Sequence, residues 1–168
     1  IACASKFHPF YAKVAIEAGK HVFVEKPHGI DGVGMRAMAE ACELAKQKKL
    51  SLMSGLQWRH DPAVAETVKR IHDGAIGEIV AIEENFLRGP YGLYPRARGM
   101  AEVPYQFSNQ SHFAWLSGDD VPQSLLHSMD KGCWALREKK PFEDLYLIIR
   151  QNSAIVHSPL EDWLDAAQ

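Results

Sequence analysis

The chain has 168 residues with 19 Lys and Arg against 21 Asp and Glu, a formal charge of −2, and is 46% hydrophobic and 24% charged. That balance fits a folded globular protein and excludes a disordered chain. It offers no basic footprint for nucleic acid or an anionic membrane, and no apolar run approaches the ~20 residues needed to span a bilayer. Cys3, Cys42 and Cys133 are odd in number, widely spaced and free of any CxxC pattern. This excludes a disulfide framework or zinc knuckle and points to a reducing compartment, cytoplasmic by default unless an export signal precedes Ile1.

The chain opens on Ile1-Ala2-Cys3-Ala4-Ser5, which reads as a core strand with no lead-in. Chain ends rarely hold core strands, so the pattern predicts a piece of a longer protein. A helix is expected from Tyr11 to Ala18, closed by Gly19, followed by a β-rich strand from His21 to Glu25 apolar enough to be covered on both faces. Asp31 is a good N-cap for a second helix, with Met35, Met38, Cys42 and Ala45 as its expected core face and Lys46, Lys48 and Lys49 at its negative end. Leu50 to Ser54 gives a third strand. Strands and helices alternating through short joints predict a parallel sheet with right-handed crossovers, about half of a doubly wound domain.

A second region follows. Asp61 and Pro62 start a helix with Val64, Val68 and Ile71 as its stripe and Gly74 as its stop. Ala75-Ile76-Gly77 turns into a strand expected from Glu78 to Leu87, and residues 89–112 run without clear period as a functional loop. A last helix begins at Pro122 with Leu126, Met129, Cys133 and Leu136 expected on its core face. Phe142 to Arg150 reads as one amphipathic stretch before a weakly patterned tail.

In an open parallel sheet the ligand crevice lies beyond the carboxyl ends of the strands. Two groups fall there: Cys3-Ala4-Ser5 with His8, and Glu25-Lys26-Pro27. Lys26 follows a buried strand directly, which fixes its position: it is either a strand-end lysine that merely snorkels to solvent or a partly desolvated ammonium suited to proton handling or to polarising a hydroxyl. His127 lies with Gln123 and Asp130 on one helical face. Trp115 and Tyr105 offer flat rings for the apolar face of a sugar, or simply core packing. His60, His72, His112 and His157 share no ligand spacing, so no metal site is expected.

The run from Glu17 to Pro27, EAGKHVFVEKP, resembles the signature of the Gfo/Idh/MocA oxidoreductases, and the resemblance continues through Gly55–Ile82 and His112–Leu136. It implies a Rossmann-like nucleotide-binding part over residues 1–57 and the start of an α+β substrate and oligomerisation part over 58–168. It further implies NAD or NADP as cofactor, a sugar or polyol as substrate, and a homo-oligomer when intact. Lys26 would sit beside the nicotinamide and the reacting carbon, and His127 would be the acid/base. His8 would line the cofactor cleft with Cys3, Ala4, Ser5 and Glu25, the Cys3-Ala4 pair standing where relatives often have Thr-Pro. Arg59 would reach the nicotinamide edge or a substrate hydroxyl, or else anchor the hinge between the two parts. Many relatives carry a carboxylate four residues before the histidine; here Gln123 stands there. The GxGxxG turn that cradles a pyrophosphate is absent and is expected upstream of Ile1. The alternatives are a redox glycoside hydrolase that regenerates NAD each turnover, or a non-catalytic fragment that pairs its open sheet edge with a partner.

Overall fold

The computed structural model describes residues 1–87, 89–136, 146–151 and 154–159. A single 3₁₀ turn, Ser5–Phe7, leads into α1, His8–Glu17, whose second residue Pro9 sits where no amide donor is needed. Gly19, at φ +74°, reverses the chain into β1, Val22–Val24. α2 spans Gly32–Gln47, and its N-cap Asp31 accepts a hydrogen bond from the Gly34 amide at 2.7 Å. β2, Leu52–Ser54, lies parallel to β1 with Val22 opposite Leu52, Phe23 opposite Met53 and Val24 opposite Ser54. The fold class read from the alternation is the one observed, an α/β unit built on a parallel sheet.

The core of this unit is the space between the two helices and one face of the sheet. Ala12 and Ile16 of α1 meet Met38, Ala41 and Ala45 of α2 over Val22 and Val24. Three alanines at the crossing let the helix backbones approach closely. The inward stripe of α2 is therefore Met38, Ala41 and Ala45; Met35 and Cys42, expected inside, are exposed. The opposite face of the sheet differs from expectation too, because Phe23 and Met53 stand side by side half exposed. Lys48 reaches back to α1 and donates to the carbonyls of Ile16 (3.2 Å) and Glu17 (2.8 Å), placing a cation on that helix's negative end.

Two expected strands do not form. Of Ile1 to Ser5, only Ile1 joins the sheet, its amino group donating to the Phe23 carbonyl and its carbonyl accepting from the Glu25 amide. Residues 78–87 are not paired as a strand, and Val80 and Leu87 are about nine-tenths exposed. A β pattern becomes a strand only when a neighbour supplies the ladder, and no such neighbour lies alongside among the described residues.

The helices of the second region match their local signals. Asp61 accepts from the amides of Ala63 (2.9 Å) and Val64 (3.0 Å) to start α3, Pro62–His72, after a 3₁₀ turn at Gln57–His60. Within the expected loop, α4 (Glu102–Ser108), a 3₁₀ turn at Gln110–His112 and α5 (Ala114–Ser117) are regular. A π-helical turn, Val121–Leu125, then feeds α6, Leu126–Ala135. Ser124 of the π turn and His127 and Ser128 of α6 face inward, and Leu126 and Met129 are only half buried. A polar stripe thus faces inward where an apolar one was expected. β3, Tyr146–Gln151, and β4, Ala154–Pro159, form an antiparallel hairpin. The beginning of the Phe142–Arg150 stretch lies outside the described residues.

Candidate active site

The carboxyl ends of β1 and β2 deliver Glu25, Lys26 and Gly55 to one place. Gly55 packs against the Glu25 carboxylate: a Cβ there would lie 2.6 Å from its oxygen and would turn that side chain aside. Beyond Lys26, the cis-linked Pro27 is fully buried. Gly118, at φ +77°, brings the approach to α6 against this loop, since a Cβ there would fall 2.8 Å from Ile30 and 2.6 Å from Pro122. Two conformational demands therefore press the EKP loop and the π turn together.

The contact is direct. Lys26 Nζ donates to the Gln123 carbonyl at 2.5 Å, from within the π turn and one turn ahead of His127. π turns widen a helix and recur at functional sites. The Gln123 side chain donates to Ser5 Oγ (2.6 Å) and to the Ser117 carbonyl (3.0 Å), so it braces the first loop. His127 is 8% exposed and its ring stacks near Phe86, with centroids 6.4 Å apart. Its buried Nδ1 has no hydrogen-bond partner among the described residues. Burial, and next the Lys26 ammonium, hold its pKa below the ordinary histidine value; Lys131 adds to this, while Asp130 and Glu25 pull the other way. The arrangement is a neutral imidazole beside an ammonium, a proton acceptor next to a donor that stabilises negative charge.

The remaining sequence-derived candidates are placed as follows. Ala4 and Ser5 are buried and Cys3 is exposed. His8 is almost fully buried with Nδ1 2.7 Å from the Pro27 carbonyl and Nε2 3.0 Å from the Cys3 carbonyl, so the ring ties the first loop to the loop after β1. The Arg59 guanidinium is engaged with Asp130 and lies over Trp134. Tyr105 and Trp115 belong to separate aromatic groups, that of Trp115 reaching Phe7 through Phe107. Trp115 meets Phe107 edge-on, lies under Lys6 and donates to Gln106. Tyr105 meets Phe113, lies under Arg96, and lines a groove of about 350 Å³ with Tyr94, Pro95, Met100 and Ser108.

Two features escaped the sequence reading. His28 Nε2 lies 2.6 Å from Ser54 Oγ, and burial followed by the neighbouring His8 lowers its pKa, with Asp130 opposing. Its position directly after Glu25-Lys26-Pro27 was the available signal. Gly32-Val33-Gly34-Met35-Arg36-Ala37 has the G-x-G-x-x-A spacing of a phosphate turn, but Asp31 occupies the Gly34 amide with a carboxylate, which repels an anion there.

No family model matches the chain. It is 38% identical over 88 residues to a levoglucosan dehydrogenase of Pseudarthrobacter phenanthrenivorans, covering 52% of this chain and 22% of that protein. It is 40% identical over 82 residues to an uncharacterized oxidoreductase, YhhX, of Escherichia coli K12, covering 47% of this chain and 22% of that one. The chain therefore spans about a fifth of the length of these curated relatives. Among solved structures it resembles an aldose-aldose oxidoreductase from Caulobacter crescentus (TM-score 0.54, 21% identity, 79% of this chain and 35% of that one). It also resembles a scyllo-inositol dehydrogenase from Lactobacillus casei (TM-score 0.51, 23% identity, 78% and 33%). At these identities the structural likeness is one of fold. Together the sequence relatives and the shared fold bear out the resemblance to the Gfo/Idh/MocA oxidoreductases that the EKP segment carries.

Proposed function

We propose that the protein is an NAD(P)-dependent oxidoreductase that moves a hydride between nicotinamide and a hydroxyl-bearing carbon of a sugar or polyol. The observation that carries this reading is the Lys26 ammonium seated on the Gln123 carbonyl, one turn before a His127 held neutral. Cys3, Ala4, Ser5, Glu25 and Lys26 would hold the nicotinamide end of the cofactor; the phosphate-binding turn is not among this chain's motifs. When bound, the nicotinamide supplies the hydride acceptor. His127 takes the hydroxyl proton, and Lys26 orients the hydroxyl oxygen and stabilises its developing negative charge. Gln123 keeps Lys26 and the first loop in register through its carbonyl and its side chain. Residues 1–57 belong in this reading to the dinucleotide-binding part and 58–168 to the substrate and oligomerisation part.

The relatives named dehydrogenase and oxidoreductase favour this reading over glycoside cleavage. The test uses the protein from its complete reading frame with NAD+ or NADP+ and a panel of aldoses and polyols. Reduced cofactor forming in step with oxidised sugar is expected, and His127→Asn should lower kcat/KM by about 10²-fold or more. Release of a chromogenic aglycone from aryl glycosides with no net reduced cofactor would overturn it.

A further inference from the structure

Arg59 lies on the 3₁₀ turn that joins β2 to α3, 71 positions before its partner Asp130 on α6. Its Nε donates to both Asp130 oxygens, at 3.0 and 3.1 Å, and its Nη2 donates to Oδ1 at 2.8 Å. The Asp130 side chain is 9% exposed, and the guanidinium sits 5.0 Å from the centre of the Trp134 ring, one turn further on. Beside it, Lys131 pairs with Glu84 at 2.5 Å and lies over Trp58. The 57–60 turn therefore grips α6 along the flank that carries His127 three residues earlier.

We propose that Arg59 is a positioning residue: by holding Asp130 in a two-pronged pair it fixes the His127 face of α6 and denies His127 that carboxylate as a partner. The inference rests on the reading of His127 as a proton acceptor and extends it to how the acceptor is kept available. A buried carboxylate one turn from an imidazole, left alone, recovers its lost solvation by drawing a proton onto the ring. Paired with a planar guanidinium it presents a compact dipole whose field falls off quickly. The charged groups acting on His127 are Lys26 and Glu25 from the EKP loop and Asp130 and Lys131 from its own helix, with Phe86 covering the ring. Burial and Lys26 hold the His127 pKa down, and Arg59 tempers the acidic group nearest along the helix, which still pulls it up.

The test is the titration of His127 followed by NMR in the chain with labelled histidines, its signal identified by its loss in His127→Asn. Arg59→Gln should shift the His127 midpoint to higher pH. Arg59→Lys, which keeps the charge and loses the fork, should fall between Arg59→Gln and the wild type. Arg59→Gln combined with Asp130→Asn should return the midpoint to the wild-type value or below it. An unmoved midpoint in Arg59→Gln, or the same upward shift in the double variant, overturns the proposal. Should Arg59→Gln fail to fold, Asp130→Asn alone decides, with a downward shift expected and no shift overturning. The titration needs no turnover, so a raised midpoint in a protein without dehydrogenase activity would support the role of Arg59 and sink only the redox reading.

Discussion

A histidine beside a lysine is held neutral at a cost that depends on pH. The His127 and His28 pKa values both lie below the ordinary value of 6.5, first through burial. In the unfolded chain both rings take up protons as the pH falls through about 6.5, while in the folded protein they resist until lower pH. Their contribution to stability is therefore complete above that value and is lost as the pH falls toward the folded values. Denaturant unfolding at pH 7.5 and at pH 5.5 should show a drop on acidification that is smaller in His127→Gln. A drop of the same size in the variant would remove His127 from the account. At Gly29 the demand is steric: a Cβ there would fall 2.8 Å from the Met35 backbone nitrogen and 2.9 Å from the Gly34 backbone carbonyl carbon. Gly29→Ala should therefore cost about 1–3 kcal/mol in unfolding free energy. A neutral result would mean that the start of α2 moves aside freely.

Helix starts were legible because capping is local chemistry. Asp31 and Asp61 could be named from the residues alone, and each accepts the amides expected of it. Asp61→Ala should destabilise the protein by about 1 kcal/mol, read as a lower denaturant midpoint at unchanged slope. Helix faces were less legible. The reading of α2 placed Met35, Met38, Cys42 and Ala45 inside; Met38 and Ala45 are, but the close α1–α2 crossing takes Ala41 and leaves Met35 and Cys42 exposed. Hydropathy weights size, whereas a tight crossing rewards smallness. Around α6 the apolar pattern misled too: Ser124 of the π turn, whose hydroxyl meets Tyr91, and His127 and Ser128 of α6 are the buried residues, while Leu126 and Met129 stay half buried. The strands at 1–5 and 78–87 failed because a strand depends on its neighbour, which a local pattern does not contain.

At the scale of the molecule, the parallel unit shows one covered and one open sheet face, with Phe23 and Met53 exposed on the latter. Among the described residues no helix is long and apolar enough to cross a membrane. With Asp31 closing the one glycine-spaced helix start, this 168-residue chain should bind NAD(H) no more tightly than about millimolar by calorimetry. Micromolar binding would show a phosphate site that the described residues do not explain. Lys26 and His127 could be named as candidates because the EKP signature and the helix from Pro122 each carry their own marker. The Arg59–Asp130 pair and the His28–Ser54 contact were not, because each joins positions far apart in the chain. Everything in the proposed chemistry depends on Lys26 and His127 acting on one another. The most direct measurement is the titration of His127 in Lys26→Met against the wild type. Loss of the ammonium should move the His127 midpoint to higher pH, and a midpoint that stays in place would contradict a shared site.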